Sequence, residues 1–151
     1  MKKASSILRF LAEAAARGER TALVTITAVI GRSSREPGTH MAVSETGDYR
    51  GSLSGGCVEA AVVGEALRVI RARRAELVRF GVGSPFLDIR LPCGGGIDLL
   101  IVPQPPLAVI EMALGRLADR ETVALAITRD GMISIDDNPP AVSEWRGDAF
   151  V

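Results

Sequence analysis

The sequence is poor in the residues that most catalytic, metal-binding and nucleic-acid-binding proteins display. Its 151 residues include two cysteines, one histidine, one tryptophan, one tyrosine and four phenylalanines. Basic and acidic residues balance at 18 each, giving a formal net charge of zero, so no global field recruits nucleic acid or an acidic membrane surface. Lys2 and Lys3 are the only lysines and the other basic residues are arginines. Arginine binds phosphate and carboxylate bidentately, but a bias toward arginine codons gives the same composition. No apolar run reaches the length a bilayer requires. Arg9, Glu13 and Arg17 interrupt what would be the core of a signal peptide after Lys2 and Lys3. The expected compartment is therefore the cytoplasm. Two cysteines are too few for a disulfide scaffold and suit free thiols.

Several motifs are missing. No Gly-Lys-Ser/Thr occurs, which excludes a P-loop nucleotidase. The glycine loops read G-x-x-x-G-G and C-G-G-G, and neither is a dinucleotide fingerprint. Two cysteines and the single His40 do not have zinc-finger spacing. A Ser-His-Asp triad would have to use His40, with nothing to support it.

What remains is an ordinary globular composition, 47% hydrophobic and 24% charged, long enough for one domain with a proper core. Ile7, Leu8, Leu11, Ala14 and Ala15 repeat at helical spacing, and Gly18 follows as a stop. Thr21 to Ile30 is apolar on both faces and predicts a buried strand. Thr39–Val43 and Tyr49–Leu53 pair as a hairpin across Ser44–Asp48. A helix opens near Val58 and ends in Arg68, Arg71, Arg73 and Arg74. This cluster suits a helix C-terminus and lacks the interleaved aromatics of a nucleic-acid surface. Glu76–Phe80 and Ile97–Val102 read as strands. Pro106 opens a third helix with Leu107, Ile110, Leu114 and Leu117 on one face. Strands follow at Thr122–Thr128 and Met132–Ile135. Trp145 and Phe150 sit in a final stretch that should pack, as a strand over Glu144–Val151 along a sheet edge. The expected fold is α/β: a mixed sheet flanked by about three helices in a single domain.

Two dense stretches carry the chemistry. In GSLSGGCVEAAVV, Gly51, Ser52, Ser54, Gly55 and Gly56 lead into Cys57 and the helix that follows. A glycine/serine loop feeding a helix N-terminus offers free backbone N–H groups and the positive end of the dipole to an anion. The same setting lowers the pKa of a cysteine, although Glu59 opposes it. A turn with a buried structural cysteine reads equally well. In LPCGGGIDLLIV, Cys93 precedes Gly94, Gly95 and Gly96 directly before a strand. Three glycines there carry a large entropic cost, so they imply close approach of a ligand or of another backbone. A third loop, GRSSREPG, places Ser33 and Arg35 past a strand end, as an oxyanion-binding loop or a plain polar turn.

These three stretches together resemble the xanthine dehydrogenase accessory factor family (XdhC/CoxI), whose first motif is matched by Gly31, Ser33, Arg35 and Gly38. The resemblance implies a chaperone that binds the molybdenum cofactor (molybdopterin), protects it and helps convert it to the sulfurated form. Its partner would be a xanthine-dehydrogenase-type molybdenum hydroxylase. It implies Cys57 as metal ligand or catalytic thiol. Ser33, Arg35, Gly51, Ser52, Ser54, Gly55, Gly56, Cys93, Gly94 and Gly95 are implied as cofactor-binding residues. It also suggests a homodimer. Longer members continue into a Rossmann-like domain, and this chain stops where that domain would begin. Two other readings stay open: a sulfur-transfer enzyme with a persulfide on Cys57, charged by a cysteine desulfurase, or an interaction domain whose loops dock the target enzyme.

Overall fold

The first helix, α1 (Lys2–Ala16), forms where the spacing of apolar residues predicts it and buries Ile7, Leu8, Leu11 and Ala14. It ends in a Schellman motif. Gly18 takes φ 79° and donates to the Ala15 carbonyl, and Glu19 donates to that of Ala14, which satisfies two of the orphan carbonyls. The computed structural model describes residues 2–31, 36–53, 58–81 and 95–151.

After α1 come β1 (Thr21–Ile30), β2 (His40–Ser44) and β3 (Tyr49–Arg50). Helix α2 (Glu59–Ala72) leads to β4 (Glu76–Gly81) and β5 (Gly96–Pro103). Helix α3 (Leu107–Ala118) precedes β6 (Ala124–Thr128), β7 (Ile133–Asp136), β8 (Trp145–Arg146) and β9 (Ala149–Phe150). Among the described residues the expected α/β domain forms, with three helices. Its strands divide into two sheets, ordered β3-β2-β1-β5-β4 and β7-β6-β9-β8, and every described pairing is antiparallel. The antiparallel outcome follows from β5 returning beside β1 in the opposite sense, with Ala22 opposite Pro103 and Ile30 opposite Gly96.

Alternation along the strands sorts the core into two clusters. On one face of the first sheet, Val24, Ile26, Met41, Val43, Leu99 and Ile101 meet Val58, Val62, Ala66, Val69 and Ile70 of the α2 region. On the other face, Leu23, Ala42, Leu100 and Val102 meet α1, α3 and the second sheet through Leu11, Ile110, Ala113, Ile127 and Ile133. Each buried Val, Leu, Ile or Met side chain among these contributes about 1.5–3 kcal/mol. Two details depart from the sequence expectation. Leu107 is exposed rather than on the packed face of α3, where Ile110 and Ala113 are the buried residues. The closing stretch is a short hairpin, β8–β9, instead of one strand. β9 joins β6 with Phe150 opposite Ile127. Phe150 is buried, and its ring meets Trp145 edge-on at 5.5 Å.

Candidate functional site

Three loops are rooted at one end of the first sheet. β1 leaves that end at Ile30, β4 leaves it at Gly81, and β5 enters it at Gly96, which is the register partner of both Ile30 and Gly81. β3 runs in the same sense as β1, because both are antiparallel to β2. The chain beyond Arg50 therefore heads for the same end, where α2 begins. The roots of residues 32–35, 54–57 and 82–94 are thus neighbours by topology.

Backbone approach at these roots explains part of the glycine content. A Cβ on Gly95 would strike the Ile30 carbonyl oxygen, and one on Gly81, whose φ is 89°, would strike the Gly95 oxygen. No side chain fits where three backbones touch in this way. Of the two explanations open for Gly95 in the sequence, another backbone is the one observed. Gly51 likewise has the His40 carbonyl 2.8 Å from where a Cβ would stand.

Of the residues the sequence points to, Gly51, Ser52 and Gly95 lie among the described residues. Ser33, Arg35, Ser54, Gly55, Gly56, Cys57, Cys93 and Gly94 lie outside them. The first residues that follow Cys57 are described. The Glu59 side chain, 4% exposed, accepts three hydrogen bonds from described residues. Its Oε1 takes the Ser52 hydroxyl at 3.0 Å and the Leu53 N–H at 3.1 Å, and its Oε2 takes the Val58 N–H at 3.2 Å. One carboxylate thus binds both flanks of residues 54–57. Buried charge is tolerated when hydrogen-bonded in this way, and a carboxylate in the first turn also suits the helix dipole. Val58, the residue before α2, has no side-chain cap of its own, so the Glu59 carboxylate supplies the local acceptor. Sequence reasoning treats Glu59 only as a charge opposing a thiolate. Its placement one residue inside a helix, after a Gly/Ser loop, is the signal that points to a clamp.

His40 is a second residue that motif reading passes over. It faces Thr25 across the β1–β2 pair, with Nδ1 2.8 Å from the Thr25 hydroxyl. Burial pushes its pKa down to about 4, so the ring is neutral at physiological pH. It lies on the α1 face of the sheet, since Ala42 two positions on packs there while Met41 packs on the α2 face. Its isolation as the only histidine gives no motif to read. Among the described residues, no group of three or more His, Cys, Asp or Glu side chains gathers to hold a metal.

Comparison with known proteins bears on this arrangement. Residues 14–81, from the end of α1 through β4, match the XdhC and CoxI family. Over that segment the chain is similar to the XdhC and CoxI family. It is 46% identical over 124 residues to the molybdenum cofactor insertion chaperone PaoD of Escherichia coli (strain K12). That match takes in 80% of this chain and 38% of PaoD. A solved structure from Bacillus halodurans, titled a xanthine dehydrogenase, superposes with a TM-score of 0.67 at 23% identity. It covers 93% of this chain and 45% of that one, and it establishes a shared fold. The chain thus spans less than half the length of both relatives. The XdhC/CoxI match ends at the root of residues 82–94, so the second sheet lies beyond it.

Proposed function

We propose that this chain handles the molybdenum cofactor as cargo for insertion into a molybdenum hydroxylase of the xanthine dehydrogenase type. The observation that carries the reading is the rooting of three loops and the start of α2 at one sheet end, in a chain nearly half identical to an insertion chaperone. The donor chemistry fits such a cargo. A pterin phosphate needs N–H and guanidinium donors with no free carboxylate beside them. Among the described residues the one buried acid at that end, Glu59, bonds Ser52, Leu53 and Val58. Backbone N–H groups of Ser54, Gly55, Gly56, Gly94 and Gly95, with Ser33 and Arg35, would hold the phosphate. Cys57, with Cys93 near it, would offer a soft thiolate to molybdenum. Ser52 and Gly51 act from behind, shaping the loop.

The same reading extends to setting and partners. We place the protein in the cytoplasm, where its two cysteines stay reduced; no helix among the described residues is long and apolar enough to cross a membrane. A cysteine desulfurase becomes a partner if Cys57 carries sulfur during cofactor maturation. Among the described residues β4 is the last strand of the first sheet, and pairing of two such edges would give a homodimer, which light scattering on the eluting protein measures. The central test is pterin content. Protein purified from cells that make the cofactor should yield a fluorescent pterin after oxidation, and Cys57→Ala should lose most of it. Equal pterin in Cys57→Ala, or none in the wild type, removes the cofactor reading.

A further inference from the structure

The face of the first sheet opposite α2 holds a cavity of about 340 Å³, within the size range of small-molecule sites. Its wall includes Ile7 and Leu8 of α1, Leu125 of β6, Phe150 of β9, Ser143 and His40. Among the described residues, no Asp, Glu, Lys or Arg side chain lines it, and His40, Thr122 and Ser143 are its polar side chains. Much of the wall comes from the second sheet and the segment before it, beyond the residues that match the family.

The hydrogen bonding of His40 fixes what the cavity can recognise. Thr25 is 1% exposed, and its hydroxyl must donate to something. Among the described residues the acceptor within reach is His40 Nδ1 at 2.8 Å. Nδ1 therefore accepts, and the proton of the neutral ring sits on Nε2. A ring in that tautomer brings to an apolar wall one donor and no charge. An anion would lose its hydration there without a countercharge, whereas a neutral acceptor would meet a matched donor.

We propose that this cavity is a binding site for a small apolar molecule carrying one neutral hydrogen-bond acceptor, such as a carbonyl oxygen, with His40 Nε2–H as the group that recognises it. The site lies on the other face of the sheet from α2, and Gly38, which closes the GRSSREPG loop, is on its wall.

The experiment uses the whole chain and two probes, 2-acetylnaphthalene and 2-ethylnaphthalene, the second lacking the acceptor. Because His40 is the only histidine, its ring nitrogens are read individually by ¹⁵N-histidine NMR. The free protein should show protonated Nε2. 2-Acetylnaphthalene should bind in equimolar ratio and shift that nitrogen. In His40→Leu its affinity should fall about fivefold, the loss of one neutral hydrogen bond, with 2-ethylnaphthalene unaffected. Ala124→Phe, which fills the cavity, should abolish binding of both. The proposal is overturned by a proton on Nδ1, by no binding at millimolar probe, or by binding that leaves the His40 resonances unmoved. The wild-type NMR outcomes decide the matter even if a variant does not fold, and neither result depends on the cofactor reading.

Discussion

Glu59 Oε1 accepts the backbone N–H of Leu53 at 3.1 Å, so a residue inside α2 holds the chain six positions before it. With Val58 bound to the other oxygen, the carboxylate sets the distance that residues 54–57 must span. Glu59→Ala removes this acceptor from two backbone N–H groups and a hydroxyl and should cost about 3 kcal/mol. Glu59→Gln keeps one oxygen and should cost less, about 1–2 kcal/mol. Urea unfolding at constant m value measures both. An alanine variant as stable as wild type would show that the clamp contributes nothing.

The glycines divide by what surrounds them. Gly64 lies inside α2 with nothing within 4 Å of an added Cβ, so Gly64→Ala should stabilise by about 0.5–1 kcal/mol. Gly95→Ala drives its methyl group into the Ile30 carbonyl and should destabilise by about 2–3 kcal/mol. Opposite signs of the two shifts in midpoint are the expected outcome of thermal unfolding.

His40 makes stability depend on pH. Its pKa is about 4 in the folded chain and near 6.5 when unfolded, so the unfolded state binds the extra proton between those values. Stability should therefore fall as pH drops from about 6.5 toward 4, and be unaffected by this group above 6.5. The shift corresponds to at most about 3 kcal/mol, reduced by the solvent that reaches a half-buried ring. His40→Leu should flatten this part of the profile, and the difference between the two urea midpoints against pH measures it.

Cys57 stands directly before the residue that caps α2. With the Glu59 carboxylate turned onto Ser52, Leu53 and Val58, the helix end should favour the thiolate. Iodoacetamide alkylation of a Cys93→Ser variant, followed against pH, should give an apparent pKa below the free-thiol value of about 8.5. A value at or above it leaves Cys57 as a packing residue.

Most of the architecture was legible in the sequence because periodicity is a local property. The apolar run Thr21–Ile30 became β1 with the same bounds, and Gly18 closed α1 as its position implied. Leu107 was misplaced because helical spacing alone does not say where the packed face begins; α3 packs through Ile110 and Ala113. Trp145 and Phe150 announced that the final stretch packs, yet not that Gly147 turns it into a hairpin. The site was legible as loops and not as contacts. The pairing that makes Gly96 a neighbour of both Ile30 and Gly81 is long-range and leaves no local pattern. His40 carried no motif, and its meaning comes from Thr25 on another strand.

The antiparallel pairing of β1 with β5 also governs how the chain reaches this fold. Thr27 bonds to the Asp98 carbonyl, 71 positions along the chain, and the whole β2–β3 hairpin, α2 and β4 lie between these neighbours. A central pair of such sequence separation closes a long loop before any of its contacts are rewarded, which places folding among the slower single domains. The hairpin and α2 can form early on local contacts, but Gly31, Gly81 and Gly95 come together only when that pair zips. The geometry at the loop roots is thus among the last features to appear in a newly made chain, so the sheet end that carries the three loops is assembled only once the core is complete.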